Sequence, residues 1–288
     1  MPVLQNDFLA LTVHPQGAEL ASVRDQQDQT EYLWQADPSH WGRHAPVLFP
    51  IVGRLKDDQY RYGGQIYGLS QHGFARDCSF ELVENRANLL DFRLSADEET
   101  RQRYPFDFVL HIRYTLAGRE LTVSYQVANR GQVPMPFSIG AHPAFNCPLV
   151  AGESFADYDF VLAQPETAER HRLAGGLYTG EVETVFDGSN HLPLTPALFE
   201  QDALVFHHLQ SEWVALRSRV SGREVRMTIG SFPYFGLWTK PGAPFVCLEP
   251  WQGLADYTDA SGDLTDKPGI HLLMPKQVHT SSYTITFG

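Results

Sequence analysis

The feature that most constrains this chain is an alternation of period two, repeated in short runs that glycines interrupt. Leu110, Ile112, Tyr114 and Leu116 fall on one face, and Val109, His111, Arg113 and Thr115 fall on the other, as in a half-buried strand. Leu121, Val123, Tyr125 and Val127 repeat the pattern beyond Ala117-Gly118-Arg119, where glycine supplies the positive φ of a tight connection. Residues 214–218 and 225–229 around Ser221-Gly222, and 60–62 and 65–69 around Gly63-Gly64, read as further hairpins. Helical periodicity is weak: 96–104 before Pro105 and 196–200 each make a turn or two, too little for the crossovers of a parallel sheet. The polar, Gly- and Pro-containing stretch 151–195 reads as long connections on the rim of a sandwich rather than as a linker. With no repeat and no clean boundary, residues 1–288 are expected to form one mainly β, antiparallel domain.

Composition narrows the partners. At 43% hydrophobic and 19% charged, with 18 Phe, 12 Tyr and 5 Trp, the chain has ample material for a core. A net charge of −12 without a Lys/Arg run argues against nucleic acid. Cys78, Cys147 and Cys247 form no C-x-x-C pair and read as reduced, buried thiols. The start MPVLQNDFLA has no basic region followed by an apolar one, and no apolar run is long enough to span a bilayer. The expectation is a cytoplasmic protein with no membrane partner, a monomer or a homodimer.

Four stretches carry polar residues among apolar or conformationally restricted neighbours: LFPIVGRLK (48–56), QHGFAR (71–76), IGAHPAFNC (139–147) and CLEPWQG (247–253). Glu249 follows the apolar run 245–248 and precedes Pro250, so it is expected at the end of a buried strand, as a poised base or as a cap on backbone amides. Trp251 beside it is read as an exposed aromatic suited to the face of a sugar ring. His142, between Gly140-Ala141 and Pro143, is a held imidazole, a proton donor or a structural histidine. His72, before Gly73, carries the same two readings, and Arg54 after Gly53 is either a hydroxyl- or phosphate-binding guanidinium or half of a surface ion pair. No metal is expected: among 12 His the one adjacent pair, His207-His208, points to opposite faces of a strand, and no HxH, HExxH or CxxC occurs. There is no G-x-S-x-G elbow, phosphate loop or dinucleotide fingerprint, which leaves cofactor-free acid/base catalysis.

Taken together, RHAPVLFPIVGRLK, QHGFARDCSF, IGAHPAFNCP, DALVF and FPYFGLWTKPGAPFVCLEPWQGLAD resemble the aldose 1-epimerase (galactose mutarotase-like) family, in particular its bacterial LacX-like branch. The resemblance implies a galactose mutarotase-like β-sandwich with an open sugar cleft, a small-molecule sugar as partner and no cofactor. It implies that Glu249 takes the proton of the anomeric hydroxyl while His142 protonates the ring oxygen, so that the ring opens and recloses from its other face. His72 and Arg54 would hold sugar oxygens, and Asp202 in DALVF would match the family's substrate-binding aspartate. The chain departs from the well-studied galactose mutarotases, with VGR at 52–54 and DAL at 202–204 in place of their N-R and G-Y-D-H-N segments, so galactose is not implied. The runner-up is a hexose-6-phosphate epimerase whose phosphate would be met by Arg43, Arg76 and Lys267. The rival from another class is a non-catalytic sugar-binding protein on the same fold.

Overall fold

The computed structural model describes residues 1–288. The alternating runs form the hairpins they predict. Strands Phe108–Ala117 and Glu120–Asn129 pair with Leu116 opposite Leu121, across a connection in which Gly118 takes φ 56°. Their inward residues are buried and the intervening ones are partly or fully exposed, so period two in the sequence is period two in burial. Strands Trp213–Ser218 and Glu224–Thr228, and Gln59–Tyr62 and Gln65–Gly68, pair in the same way. The helix Glu98–Arg103 opens on an Asp97/Thr100 capping box and stops at Tyr104, before Pro105, while Pro196–Phe199 is a single 3-10 turn.

Fifteen strands join into one antiparallel sheet, with Val47–Leu48 near one edge and Glu81–Arg86 at the other. A twisted sheet this wide has to curl. The two ends meet through aromatic rings: Phe49, next to the first strand, lies 5.1 Å from Phe108, in the third strand from the far edge. A cluster of 63 buried residues fills the space between the layers. No helix is long and apolar enough to cross a membrane. Cys147 and Cys247 are buried and Cys78 is half-buried, and none of the three is in a disulfide.

Residues 151–195 differ from expectation. Most of this stretch is a hairpin of two 17-residue strands, Tyr158–Ala174 and Leu177–Pro193, rather than rim connections. Only its first turn is core: 158–162 are buried, after which both faces are largely exposed and the register shifts four times. A strand with two wet faces carries no alternation to read. Its tip, Gly175-Gly176, takes φ 60° and 82°, the two positive values of a type I′ turn. His207 ends strand Leu204–His207 and His208 has φ 53°, so the pair does not occupy consecutive strand positions as expected.

The strand Phe245–Gln252 is buried at all eight positions and continues through Glu249 and Pro250 rather than ending there. One side pairs continuously with Tyr234–Trp238. The other pairs first with Ala144–Asn146 and then with Ile139–Ala141, leaving 248–250 opposite the connecting His142-Pro143. Leu248 donates its N–H to Pro143 across this interval, at 3.1 Å. The N–H that Pro250 lacks would point to the same interrupted side, which is why proline is tolerated in an interior strand.

Behind this region Lys267 and Asp256 form a buried ion pair at 2.9 Å, with side chains 1% and 4% exposed. Asp256 also accepts the Lys56 N–H and donates its own N–H to the Arg54 carbonyl, so the pair fastens two loops that border the Phe245–Gln252 strand. Lys267→Ala strands a buried carboxylate and should cost about 3–5 kcal/mol, read as a lower urea midpoint. Adding Asp256→Ala should recover part of the loss; a wild-type midpoint for the single variant would show that the pair holds nothing.

Candidate active site

A cavity of about 510 Å³ opens beside the Phe245–Gln252 strand. Arg54, His72, His142, Asp202, Glu249 and Trp251, from five separate parts of the sequence, all line it. Nine buried side-chain polar atoms in the molecule lack a hydrogen-bond partner, and six of them belong to residues of this cavity: Arg76 Nε, His142 Nδ1, Tyr178 Oη, both Glu249 oxygens and Trp251 Nε1. An orphaned buried polar atom costs about 1–3 kcal/mol. Their concentration here marks a surface built to be completed by a polar ligand.

His142 Nε2 lies 3.3 Å from Glu249 Oε2, with the carboxylate 1% exposed. Both follow from the interrupted ladder: Glu249 points out of the strand at the interval that His142-Pro143 crosses. Burial pushes the Glu249 carboxyl well above the usual carboxylate range, and the charge of Asp202 adds to it. The Trp251 indole N–H opposes this, although its geometry stops short of a hydrogen bond. Burial likewise takes the His142 imidazole down to about 3, helped by the positive charge of Arg76. Burial therefore disfavours the charge on each group, and two groups this close titrate as a coupled pair.

His72 sits at φ 68°, its ring 5.6 Å from that of His142 and edge-on to it. Its Nδ1 accepts the Gly53 N–H at 3.1 Å, its Nε2 lies 3.3 Å from Gln71 Nε2, and burial pushes its pKa well below the ordinary histidine value. Gly73 is required: at φ 71° its Cβ would lie 2.3 Å from the Phe49 carbonyl oxygen. Asp202, at φ 75°, uses Oδ1 to accept the Ala203 N–H.

Three expectations change. Trp251 is 6% exposed, not an open platform: it is wedged where a Cβ on Gly140 or Gly236 would come within 2.8 or 2.9 Å of its ring. The ring surfaces beside the His142–Glu249 pair are those of Trp41, stacked on His142 at 4.9 Å, and Trp238, edge-on at 5.6 Å. Arg54 lines the cavity, but its guanidinium is bidentate to Asp58 and bonds the Gly175 carbonyl, with the side chain 41% exposed. Lys267 is committed to Asp256 and Arg43 to Asp77, so of the three proposed phosphate ligands only Arg76 reaches the cavity. Burial lowers the Arg76 pKa to about 10. Trp41, Trp238 and Tyr178 are additions: Trp41 and Tyr178 stand in segments without periodicity or motif, whereas Trp238 lies in FPYFGLWTKP, part of a stretch that carries the family resemblance.

Single-residue spacing also hid a cluster. His142, Cys247 and Glu249 offer ligand atoms within 4.8 Å of one another, because Cys247 and Glu249 share a face of one strand. Burial raises the pKa of Cys247 as it does that of Glu249, so a cation there would have to compete with protons for both.

Comparison with known proteins agrees along the whole length. The family model described as aldose 1-epimerase matches residues 3–286. The chain is 38% identical to the chromosomal protein LacX of Lactococcus lactis subsp. lactis over 293 residues, covering 98% of each. It superposes on a galactose mutarotase related enzyme from Lactobacillus acidophilus with TM-score 0.96 at 36% identity, covering 99% of this chain and 96% of that one. A galactose mutarotase-like protein from Lactobacillus casei gives 0.94 at 32% identity, with 100% of both chains covered. With its antiparallel sandwich and a match from end to end, the chain belongs to the aldose 1-epimerase family.

Proposed function

We propose that this protein is an aldose 1-epimerase that interconverts the α and β anomers of a hexose or related aldose, with Glu249 and His142 exchanging one proton through the substrate. The observation that carries the reading is the 3.3 Å approach of His142 Nε2 to Glu249 Oε2 in a cavity where neither carboxylate oxygen has another partner. Ring opening takes a proton from the anomeric hydroxyl and gives one to the ring oxygen. These two oxygens are bonded to the same carbon, so base and acid have to stand side by side.

The turnover begins with the proton on the imidazole. Glu249 removes the hydroxyl proton, the C1–O5 bond breaks, and His142 protonates the departing ring oxygen, giving the open-chain aldehyde. Glu249 is then protonated and His142 neutral, which is the placement that burial favours. The cavity therefore stabilises the proton state of the ring-opened intermediate. Rotation about C1–C2 and reclosure with both transfers reversed yield the other anomer and return the pair to its first state. His72 donates to a sugar oxygen, Asp202 accepts from a hydroxyl, and Trp41 and Trp238 flank the ring. No redox step is involved.

A hexose 6-phosphate substrate is favoured by one feature, the cavity-lining Arg76, whose buried Nε makes no hydrogen bond and has only a 3.9 Å ion pair with Asp77. The commitment of Lys267 and Arg43 elsewhere counts against it. Rates for a panel of hexoses and hexose 6-phosphates separate the two.

Mutarotation followed by polarimetry should be accelerated by the wild type, and Glu249→Gln and His142→Ala should each lose about 10²–10⁴-fold. Wild-type rates in both variants would remove this pair from the reaction, and no acceleration by the wild type would leave only a sugar-binding role on this fold. The pH profile of kcat/KM should be a broad plateau. Its acid limb falls as a second proton joins the pair, with a midpoint carried from the ordinary histidine value down toward about 3. Its alkaline limb falls as the last proton leaves Glu249, well above ordinary carboxylate values. An acid limb at the free-histidine position would contradict a desolvated His142.

A further inference from the structure

The acid/base chemistry leaves the Tyr178 hydroxyl unused. Tyr178 is 1% exposed, and its hydroxyl is buried without a partner at the cavity wall. Packing alone would be served better by phenylalanine, which leaves no polar atom to orphan. The ring cannot turn away to find a partner. It packs at 5.4 Å on Tyr257 and edge-on to His171 and His207, at 6.3 and 6.1 Å. Its backbone is bonded on both sides, donating to the Asp256 carbonyl at 2.9 Å and accepting from the Thr258 N–H at 3.1 Å. The Gly175-Gly176 turn just before it also fixes where the strand enters the cavity.

We infer that Tyr178, together with Asp202, forms a hydroxyl-reading subsite that selects one non-anomeric hydroxyl of the sugar. A hydroxyl donates once and accepts readily, so it pairs with one acceptor and one donor. Asp202 is the acceptor: Oδ1 takes the Ala203 N–H and leaves Oδ2 for a ligand. Tyr178 is the donor, and burial first, then the neighbouring phenols and Asp202, keep its proton in place. Asp202 lines the same cavity as Glu249, so the hydroxyl it holds belongs to the sugar being opened. Tyr178 belongs to the same small hydrophobic cluster as Ala203, Trp251 and Ala255, Trp41 packs on a separate one with Phe245, and Trp238 packs against both.

The inference rests on the epimerase reading for turnover but not for binding, and both are measured. Against a panel of hexoses and their singly deoxygenated analogues, Tyr178→Phe should lower kcat/KM roughly 10- to 100-fold, mainly through KM. On the one deoxy sugar that lacks the hydroxyl read by Tyr178, the wild type should already show that loss and the variant should add none. Asp202→Asn should single out the same deoxy sugar, which keeps the test decisive if Tyr178→Phe folds poorly. An equal loss on every sugar, or no loss on any, overturns the subsite. Titration with a 1-deoxy hexose, which has no anomeric hydroxyl to react, reads binding alone. Weakening by Tyr178→Phe there supports the subsite even if no sugar is epimerised, and unchanged binding refutes it even if the enzyme is active.

Discussion

Everything at the proposed centre depends on a short interruption in strand pairing. For three residues, Leu248 to Pro250, the buried strand Phe245–Gln252 has no regular partner on one side, and His142-Pro143 crosses that interval instead. A continuous ladder would have filled it with backbone. The interruption admits an imidazole beside a carboxylate, and the proline tolerates it because the amide it lacks would have faced the gap.

Burial then decides the electrostatics. A carboxyl and an imidazole this deep would each rest neutral, the first raised and the second lowered by loss of water. The result is a pair with one mobile proton and little net charge to desolvate. The remaining orphaned groups, from Arg76, Tyr178 and Trp251, lie around it on a rigid wall. The protein accepts their unpaired state when folded, so a ligand that supplies the missing partners gains the difference.

The legible parts of the fold were those in which one face is wet. Hairpin Phe108–Ala117 with Glu120–Asn129 shows its alternation because one side is core. Hairpin Tyr158–Ala174 with Leu177–Pro193 was not legible, since beyond residue 162 both its faces are largely exposed and bulges shift its register. The same logic applies to the site. His72, His142 and Glu249 stood out as polar residues locked among Gly, Pro and apolar neighbours, whereas Trp41 and Tyr178 are ordinary aromatics in segments without a pattern. Trp251 was misjudged as exposed because nothing local reveals that Gly140 and Gly236 clear space for its ring.

By itself the sequence determined that the chain folds as antiparallel strands, because period-two burial and glycine turns are local properties of the backbone. It also marked the segments where polar groups are held in apolar surroundings, which resemblance then tied to an epimerase. Only the tertiary structure decided which of those groups meet. The 3.3 Å contact of His142 with Glu249, the diversion of Arg54 to Asp58 and of Lys267 to Asp256, and the placing of Tyr178 in the cavity wall join residues far apart in the chain or settle rivalries between partners. Proximity, desolvation and competition for a counter-ion are properties of three-dimensional neighbours, and no local pattern encodes them.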